Sequence, residues 1–377
     1  MKLTHSTPFM LQSDLSPMRI LFATMHTYPP QRAGGSESST HDLCSALVAH
    51  SNPCAVLTAL SSGDWLYLAN RLKSRLTGRK FPPDLIHRYP VFRGWNPLCG
   101  VDEVISAFSP DIIVIQAGKP LPLAAKFSAK GIPTVIYLRD VAFWAHGGNY
   151  ADHKDISYLA NSSFTAESFR RQFGYSAPVI PPLVEPANYK VQPCRRYVVF
   201  ISPTPKKGIE LAFSLAAQNR DIPFLFVESW PLANSIRRNY ISRAKRFGNI
   251  VWKRRQKDMK KVYREAKILL VPSQCDEAWG RVVTEAQISG IPILASNRGG
   301  LKESVGSGGI ILDHNEKVDL WSYHLRKLWH DDHYYDELSQ EALRHAARPE
   351  IKPECILTNF LSFCKATIQD RNTIGQH

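Results

Sequence analysis

Short runs of aliphatic and β-branched residues recur along this chain, and longer segments with helical spacing of their apolar residues separate most of them. Residues 19–24 (RILFAT), 54–60, 111–116 (DIIVIQ), 134–140 (TVIYLRD) and 158–162 are such runs. They are continuously apolar rather than alternating, which predicts strands covered on both faces, in a parallel sheet flanked by helices. A helix is expected over 36–50, with Ser36 as its N-cap. At 178–196 the rhythm fails: PVIPPLVEPANYKVQPCRR carries five prolines and no helical period, and reads as a linker. Strands then resume at 197–202, 223–228, 249–253, 268–272, 291–296 and 309–313, with helices at 207–219, 232–247, 257–266 and 280–289.

The expected fold class is therefore α/β, with two doubly wound, Rossmann-like domains facing a cleft. Ligands of such sheets bind beyond the carboxyl ends of the strands. The domains are drawn as a flexible tail over 1–17, an N-terminal Rossmann-like domain over 18–188 and a C-terminal Rossmann-like domain over 189–350. The helical segment 351–377 is drawn as crossing back to the first domain.

The charge balance restricts the partners. The chain has 377 residues, 47 Lys and Arg against 33 Asp and Glu, and a net charge of +14. An anionic partner follows: phosphorylated ligand, anionic membrane or nucleic acid. No helix-turn-helix, zinc or aromatic-sheet signature is present, so nucleic acid is the weakest of the three. Seven cysteines with no C-x-x-C pair suggest neither a disulfide framework nor a zinc site, and a cytoplasmic location is expected. No apolar run reaches the ~18 to 20 residues of a membrane span.

Three segments can carry chemistry. Gly34-Gly35-Ser36 lies in the first strand-to-helix turn, where backbone N–H groups can approach an anion. Lys206-Lys207-Gly208 follows the first strand of the second unit, where a lysine meets a diphosphate. In VPSQCDEAWGRVVTE, seven residues separate Glu277 from Glu285. Glu277 falls in a loop after a strand. Ala278, Trp279, Gly280 and Arg281 open the next helix, and Glu285 sits on its second turn. Carboxylates there accept from sugar hydroxyls, and the helix N–H groups suit a phosphate.

VPSQCDEAWGRVVTEAQISGIPILASNRGGLKE resembles the signature region of family 4 glycosyltransferases, including the E-x7-E element. RILFATMHTYPPQRAGGSE, SPDIIVIQAG, GIPTVIYLRD, ANSSFTAESFRRQFG, PVIPPLVE and TPKKGIELAFSLA resemble further elements of that family, in order. Only residues 1–17 and about 60–100 lack a counterpart.

The resemblance implies a GT-B fold. It also implies a retaining transferase that uses a nucleotide-diphosphate sugar, without a bound metal or other cofactor. It gives Glu285 the ribose hydroxyls, Glu277 the donor sugar hydroxyls and Lys207 the diphosphate, with Gly34 and Gly35 closing over it. Two positions depart from the family. No arginine stands in the few residues before Lys207-Gly208 (FISPTPKKG), so Lys206 or Arg281 is a substitute. Arg139-Asp140 stands where the family often has His-Asp, and Asp140 is assigned to positioning the acceptor. The acceptor is expected to be a glycan or lipid-linked molecule of cell-surface polysaccharide or glycolipid synthesis, lipopolysaccharide among them. An epimerase or phosphorylase of the same fold is the alternative.

Two basic segments complete the reading. Residues 64–76 (DWLYLANRLKSRL) place Trp65, Leu68, Ala69, Leu72 and Leu76 on one helical stripe beside Arg71, Lys73 and Arg75. This is either a helix at an anionic membrane surface, peripheral to the inner face of the plasma membrane, or a helix packed on its own domain. Residues 237–261 hold eleven Lys and Arg and one acid, Asp258, and read as a solvated face.

Overall fold

The computed structural model describes residues 17–229 and 232–374. Except for Pro17, the expected tail lies outside the described residues, as do the last three positions of the C-terminal segment.

The first half is built from β1 (Ile20–Thr27), α1 (Gly35–Ala49), β2 (Cys54–Ala59), α2 (Trp65–Thr77), β3 (Pro83–Asp84), β4 (Val91–Gly94), α3 (Val101–Phe108), β5 (Ile112–Ile115), α4 (Pro120–Ser128), β6 (Thr134–Leu138), β7 (Ser157–Ala160) and α5 (Ser163–Phe173). The second half comprises β8 (Tyr197–Ile201), α6 (Ile209–Gln218), β9 (Phe224–Val227), α7 (Asn234–Phe247), β10 (Ile250–Lys253), α8 (Lys260–Glu265), β11 (Ala266–Val271), α9 (Arg281–Gln287), β12 (Ile293–Ser296), α10 (Leu301–Val305) and β13 (Gly309–Leu312). Three longer helices follow: α11 (Val318–His330), α12 (Asp332–Ala346) and α13 (Pro353–Ile374).

The strands form two sheets, in the orders β3-β4-β2-β1-β5-β6-β7 and β10-β9-β8-β11-β12-β13. Every pairing is parallel except β3 with β4. In each sheet the first strand of the unit lies inside and later strands are laid to either side. That order makes a switch point beside β1 and another beside β8. The central strands are buried on both faces, as continuous apolar runs require: β5 and β6 have no exposed residue.

The sequence expectation differs from the structure at three local points. Ser36 is not the N-cap of α1; the helix starts at Gly35, because the Glu37 carboxylate reaches back to the Gly34 N–H at 3.0 Å. The helix expected at 257–266 is shorter, since Ala266 already belongs to β11. The segment about 60–100 contributes α2 and two short strands, β3 and β4, at the sheet edge.

The chain leaves the first sheet through 178–196 and returns near 346–353. Helix α13 then packs on β1 and α1: Ile356, Leu357, Phe360, Leu361 and Cys364 share one buried cluster with Ile20, Phe22, Leu43 and Leu47. The rings of Phe22 and Phe360 stack 6.0 Å apart.

Candidate active site in the interdomain cleft

A cavity of about 1010 Å³ lies between the carboxyl ends of the two sheets. Its walls follow strand ends in turn. Gly34 and Gly35 come after β1, Arg139 and Asp140 after β6, Lys207 after β8, and Glu277 to Arg281 after β11. Glu285 also lines it. Gly208 apart, Lys206 is the one cleft residue expected from sequence that is not in the wall. Its side chain is exposed to solvent, and its carbonyl accepts from the Gln274 N–H at 2.8 Å.

Lys207 and Glu277 meet directly. The Lys207 Nζ donates to Glu277 Oε1, which also accepts from Ser273 Oγ at 2.6 Å. Two glycine-dependent turns bring them together. Gly208 has φ +82°, and a Cβ there would sit 1.9 Å from the Pro272 carbonyl oxygen. Gly299 has φ +61° and lies against the Glu277 backbone, where a Cβ would come within 2.3 Å of the carbonyl oxygen. The loop carrying Glu277 is thus clamped between two close backbone approaches.

Glu285 is buried, with both oxygens occupied. Arg281 Nε donates to Oε1 at 2.7 Å and Tyr263 Oη donates to Oε2 at 2.7 Å. Burial pushes its carboxyl pKa up, against the pull of Arg281 and Tyr263. A carboxylate has about four acceptor sites, so two remain for ligand hydroxyls.

Arg281 uses all of its donors. Besides Glu285, it donates through Nη1 to Ser39 Oγ at 3.1 Å and to the Leu183 carbonyl at 2.7 Å, and through Nη2 to Asp42 Oδ2 and to Tyr189 Oη. Burial opposes its charge, but Asp42 and Glu285 more than offset this and keep it protonated. Ser39 and Asp42 belong to α1 of the first half, so this guanidinium ties the two halves together. Arg281 is thus fully engaged and Lys206 lies outside the cavity wall, so neither takes the place of an arginine before Lys207. Trp279 is also a packing residue: it is buried and its Nε1 donates to Thr284 Oγ1 at 3.0 Å.

Across the cleft, Asp140 is half-exposed and fixed by two donors. His146 Nε2 lies 3.0 Å from Oδ1, and the Ala142 N–H donates to the same oxygen at 2.9 Å. Burial would raise its pKa, but the His146 contact and the Ala142 N–H bring it below the ordinary aspartate value. His146 is buried, with Nδ1 against Tyr150 Oη, so donation from Nε2 satisfies both partners. Glu37 at the start of α1 gathers His26 Nδ1 at 3.1 Å and Arg32 Nε at 3.3 Å.

Asp42, Glu37, His26 and His146 escaped the sequence reading. Glu37 left a signal, a glutamate three residues after Gly34 at a helix start. Asp42, in mid-helix, and His146, in a loop, left none. Among the described residues no group of three or more His, Cys, Asp or Glu could hold a metal ion.

Residues 195–345 match the family model described as glycosyl transferases group 1. The D-inositol 3-phosphate glycosyltransferase of Corynebacterium kroppenstedtii is 38% identical over 93 residues, which is 24% of this chain and 20% of that protein. The matched segment thus spans about a fifth of that curated relative. The structure of Anabaena Alr3699/HepE in complex with UDP superposes with a TM-score of 0.72 at 18% identity, covering 93% of this chain and 100% of that one. Sucrose-phosphate synthase from Thermosynechococcus elongatus superposes with a TM-score of 0.74 at 14% identity, covering 94% and 100%. The fold is that of the GT-B glycosyltransferases. The matched segment is similar to group 1 glycosyl transferases, and the fold is shared with these solved structures.

Proposed function

We propose that this chain transfers a hexose from a nucleotide-diphosphate sugar to a glycan or lipid-linked acceptor, with retention of anomeric configuration, in the manner of family 4 enzymes. The observation that carries the reading is the Lys207–Glu277 pair, set at the strand ends of one sheet opposite the glycine turn and Asp140 of the other. In this reading the Lys207 ammonium and the N–H groups of α1 stabilise charge as it develops on the leaving diphosphate. Glu277 is then drawn toward the sugar hydroxyls, and Glu285 offers its two remaining acceptor sites to the ribose. Asp140, held ionised by His146, orients the acceptor hydroxyl, whose proton passes to the leaving phosphate oxygen. No metal enters this scheme, and turnover is expected to survive EDTA.

UDP and UDP-glucose are the first ligands to test, because Alr3699/HepE has been crystallised with each. A ligand at ~100 times its Kd adds about 2.7 kcal/mol to stability, which raises the unfolding midpoint. A shift with one nucleoside diphosphate, and release of that diphosphate from its sugar when acceptor is added, are the expected results. Anomeric NMR of the first product decides retention. No shift with UDP, GDP or ADP would sink the reading.

Helix α2 supports a membrane location for the acceptor. Its stripe is turned to solvent: Trp65 is 61% exposed and Leu76 78%, and Leu68 and Leu72 are similarly open. Only Leu66 of this helix is buried. Trp95 stands exposed beside Tyr67. Five cations and no acid occupy residues 65–83. The N-cap, Asp64, is bonded to Gln31, whose loop lines the cleft, so this face adjoins the cavity mouth. We read it as docking peripherally on an anionic bilayer, at the cytoplasmic side of the plasma membrane. Co-flotation with phosphatidylglycerol vesicles but not phosphatidylcholine vesicles is expected, and Leu68→Glu with Leu72→Glu should abolish it.

A further inference from the structure

Arg139 is a cation held in the cleft wall without an anion. Its Nε donates to Gln116 Oε1 at 3.0 Å, and its guanidinium carbon lies 3.6 Å from the centroid of the Tyr137 ring. Its Nη1 is buried with no hydrogen-bond partner. Among the described residues no carboxylate pairs with it. The carboxylate that attracts it, Glu37, is already occupied by His26, Arg32 and the Gly34 N–H, and Arg281 repels it.

The fully buried arginines of this chain are completed. Arg93 has Asp84 and the carbonyls of Tyr28 and Pro29, and Arg281 has five partners. A guanidinium does not deprotonate, so burial without a counter-charge is unfavourable unless something else supplies one.

The same wall of the cavity offers what else an anion needs. Helix α1 begins there, its first N–H groups have no intrahelical acceptor, and the space over Gly35 is open. A half-buried guanidinium with no carboxylate partner and a helix start line one cavity, and both favour a planar or tetrahedral oxyanion.

We propose that Arg139 receives an anionic group of a substrate, phosphate or carboxylate, held between its guanidinium and the amino-terminal turn of α1. The inference rests on reading this cleft as the donor and acceptor site. Two sources share the chemistry: the donor's own diphosphate, or a carboxylate or phosphate on the transferred sugar or the acceptor.

Calorimetric titration of the wild type, Arg139→Gln and Arg139→Lys separates them. The probes are UDP, inorganic pyrophosphate, UDP-glucose, UDP-glucuronate, and inorganic phosphate added to UDP-saturated protein. Loss of a charge-assisted hydrogen bond lowers affinity roughly 10- to 100-fold. Arg139→Gln is expected to lose that much for at least one probe, and Arg139→Lys to recover part of it as a point charge. Equal losses for UDP and pyrophosphate assign the diphosphate. A loss for UDP-glucuronate beyond that for UDP-glucose assigns a sugar carboxylate, and a loss confined to inorganic phosphate assigns an acceptor phosphate.

Unfolding of Arg139→Gln in anion-free buffer should match or exceed the wild type. Wild-type affinities for every probe in Arg139→Gln would overturn the proposal, whatever its stability. Pyrophosphate binding without any nucleoside diphosphate binding would end the transferase reading and leave the anion site standing.

Discussion

Arg281 and Arg139 face the same cleft from opposite halves and differ in how their charge is met. Arg281 is enclosed by two carboxylates, a serine, a tyrosine and a carbonyl, all supplied by the chain. Arg139 has one amide, one aromatic face and an unpartnered Nη1. The same side chain thus serves as a structural bolt in one wall and as an open receptor in the other. Arg281 is buried and Arg139 half-buried, and the number of carboxylates within reach separates their roles further.

The largest expected effect comes from removing the bolt. Arg281→Met leaves Asp42 and Glu285 buried without their cation, and should lower stability by about 3–5 kcal/mol in denaturant unfolding. Arg139→Met should change it by less than about 1 kcal/mol in anion-free buffer. Equal losses in the two variants would erase the distinction.

A smaller effect is expected from Asp42→Asn, which keeps a hydrogen-bond acceptor but removes the charge, at about 1–3 kcal/mol. A double cycle with Arg281→Met should show strong coupling, and additivity there would mean that Asp42 is not the partner that matters.

Lys207–Glu277 lies between the two extremes, paired but 33% and 14% exposed. Glu277→Gln should reduce kcat at least about tenfold, as loss of a group acting in the transition state does. Its midpoint should stay near the wild type. A kcat like that of the wild type removes Glu277 from the chemistry.

The smallest effect is in the pH dependence, where the carboxyls beside the two arginines differ in sign. The Asp140 pKa is lowered on folding, so its contribution is present above the ordinary value of 3.8 and disappears as pH falls through the folded value. The Glu285 pKa is raised on folding, so its contribution is present below the ordinary value of 4.5 and disappears as pH rises through the folded value. Asp140→Asn should flatten the acid limb of stability against pH, and Glu285→Gln the limb above about pH 4.5. The same slope change in both variants would contradict these environments.

Much of this architecture was legible because apolar runs report strands buried on both faces. The Lys207–Glu277 meeting was also within reach, since both sit just after strands that neighbour each other, β8 and β11. The Arg281 network was not. Its partner Asp42 lies 239 residues away, and an acid in a helix reads as solvated until the fold brings a cation to it. Helices α2 and α7 show the same limit. Each follows the second strand of its unit and each carries an apolar stripe beside cations. Yet α7 buries Tyr240 and Ala244 against its sheet, while α2 leaves its leucines in solvent. Periodicity reports that a face exists, and the presence of a neighbour decides whether it is covered. Strands β3 and β4 were too short to leave a pattern.

The return of α13 to the first sheet has a kinematic consequence. The second sheet and its helices are a body joined to the first half at two separate places, 178–196 and 346–353. A body pinned at two points turns freely only about the line through them. Two crossings favour widening of the cleft as a rotation about that line, while the packing of Phe360 on Phe22 and the bonding of Arg371 to Ser128 anchor α13 to the first half. Along that rotation, the Arg281–Asp42 contact is the gauge of how far the jaws have parted.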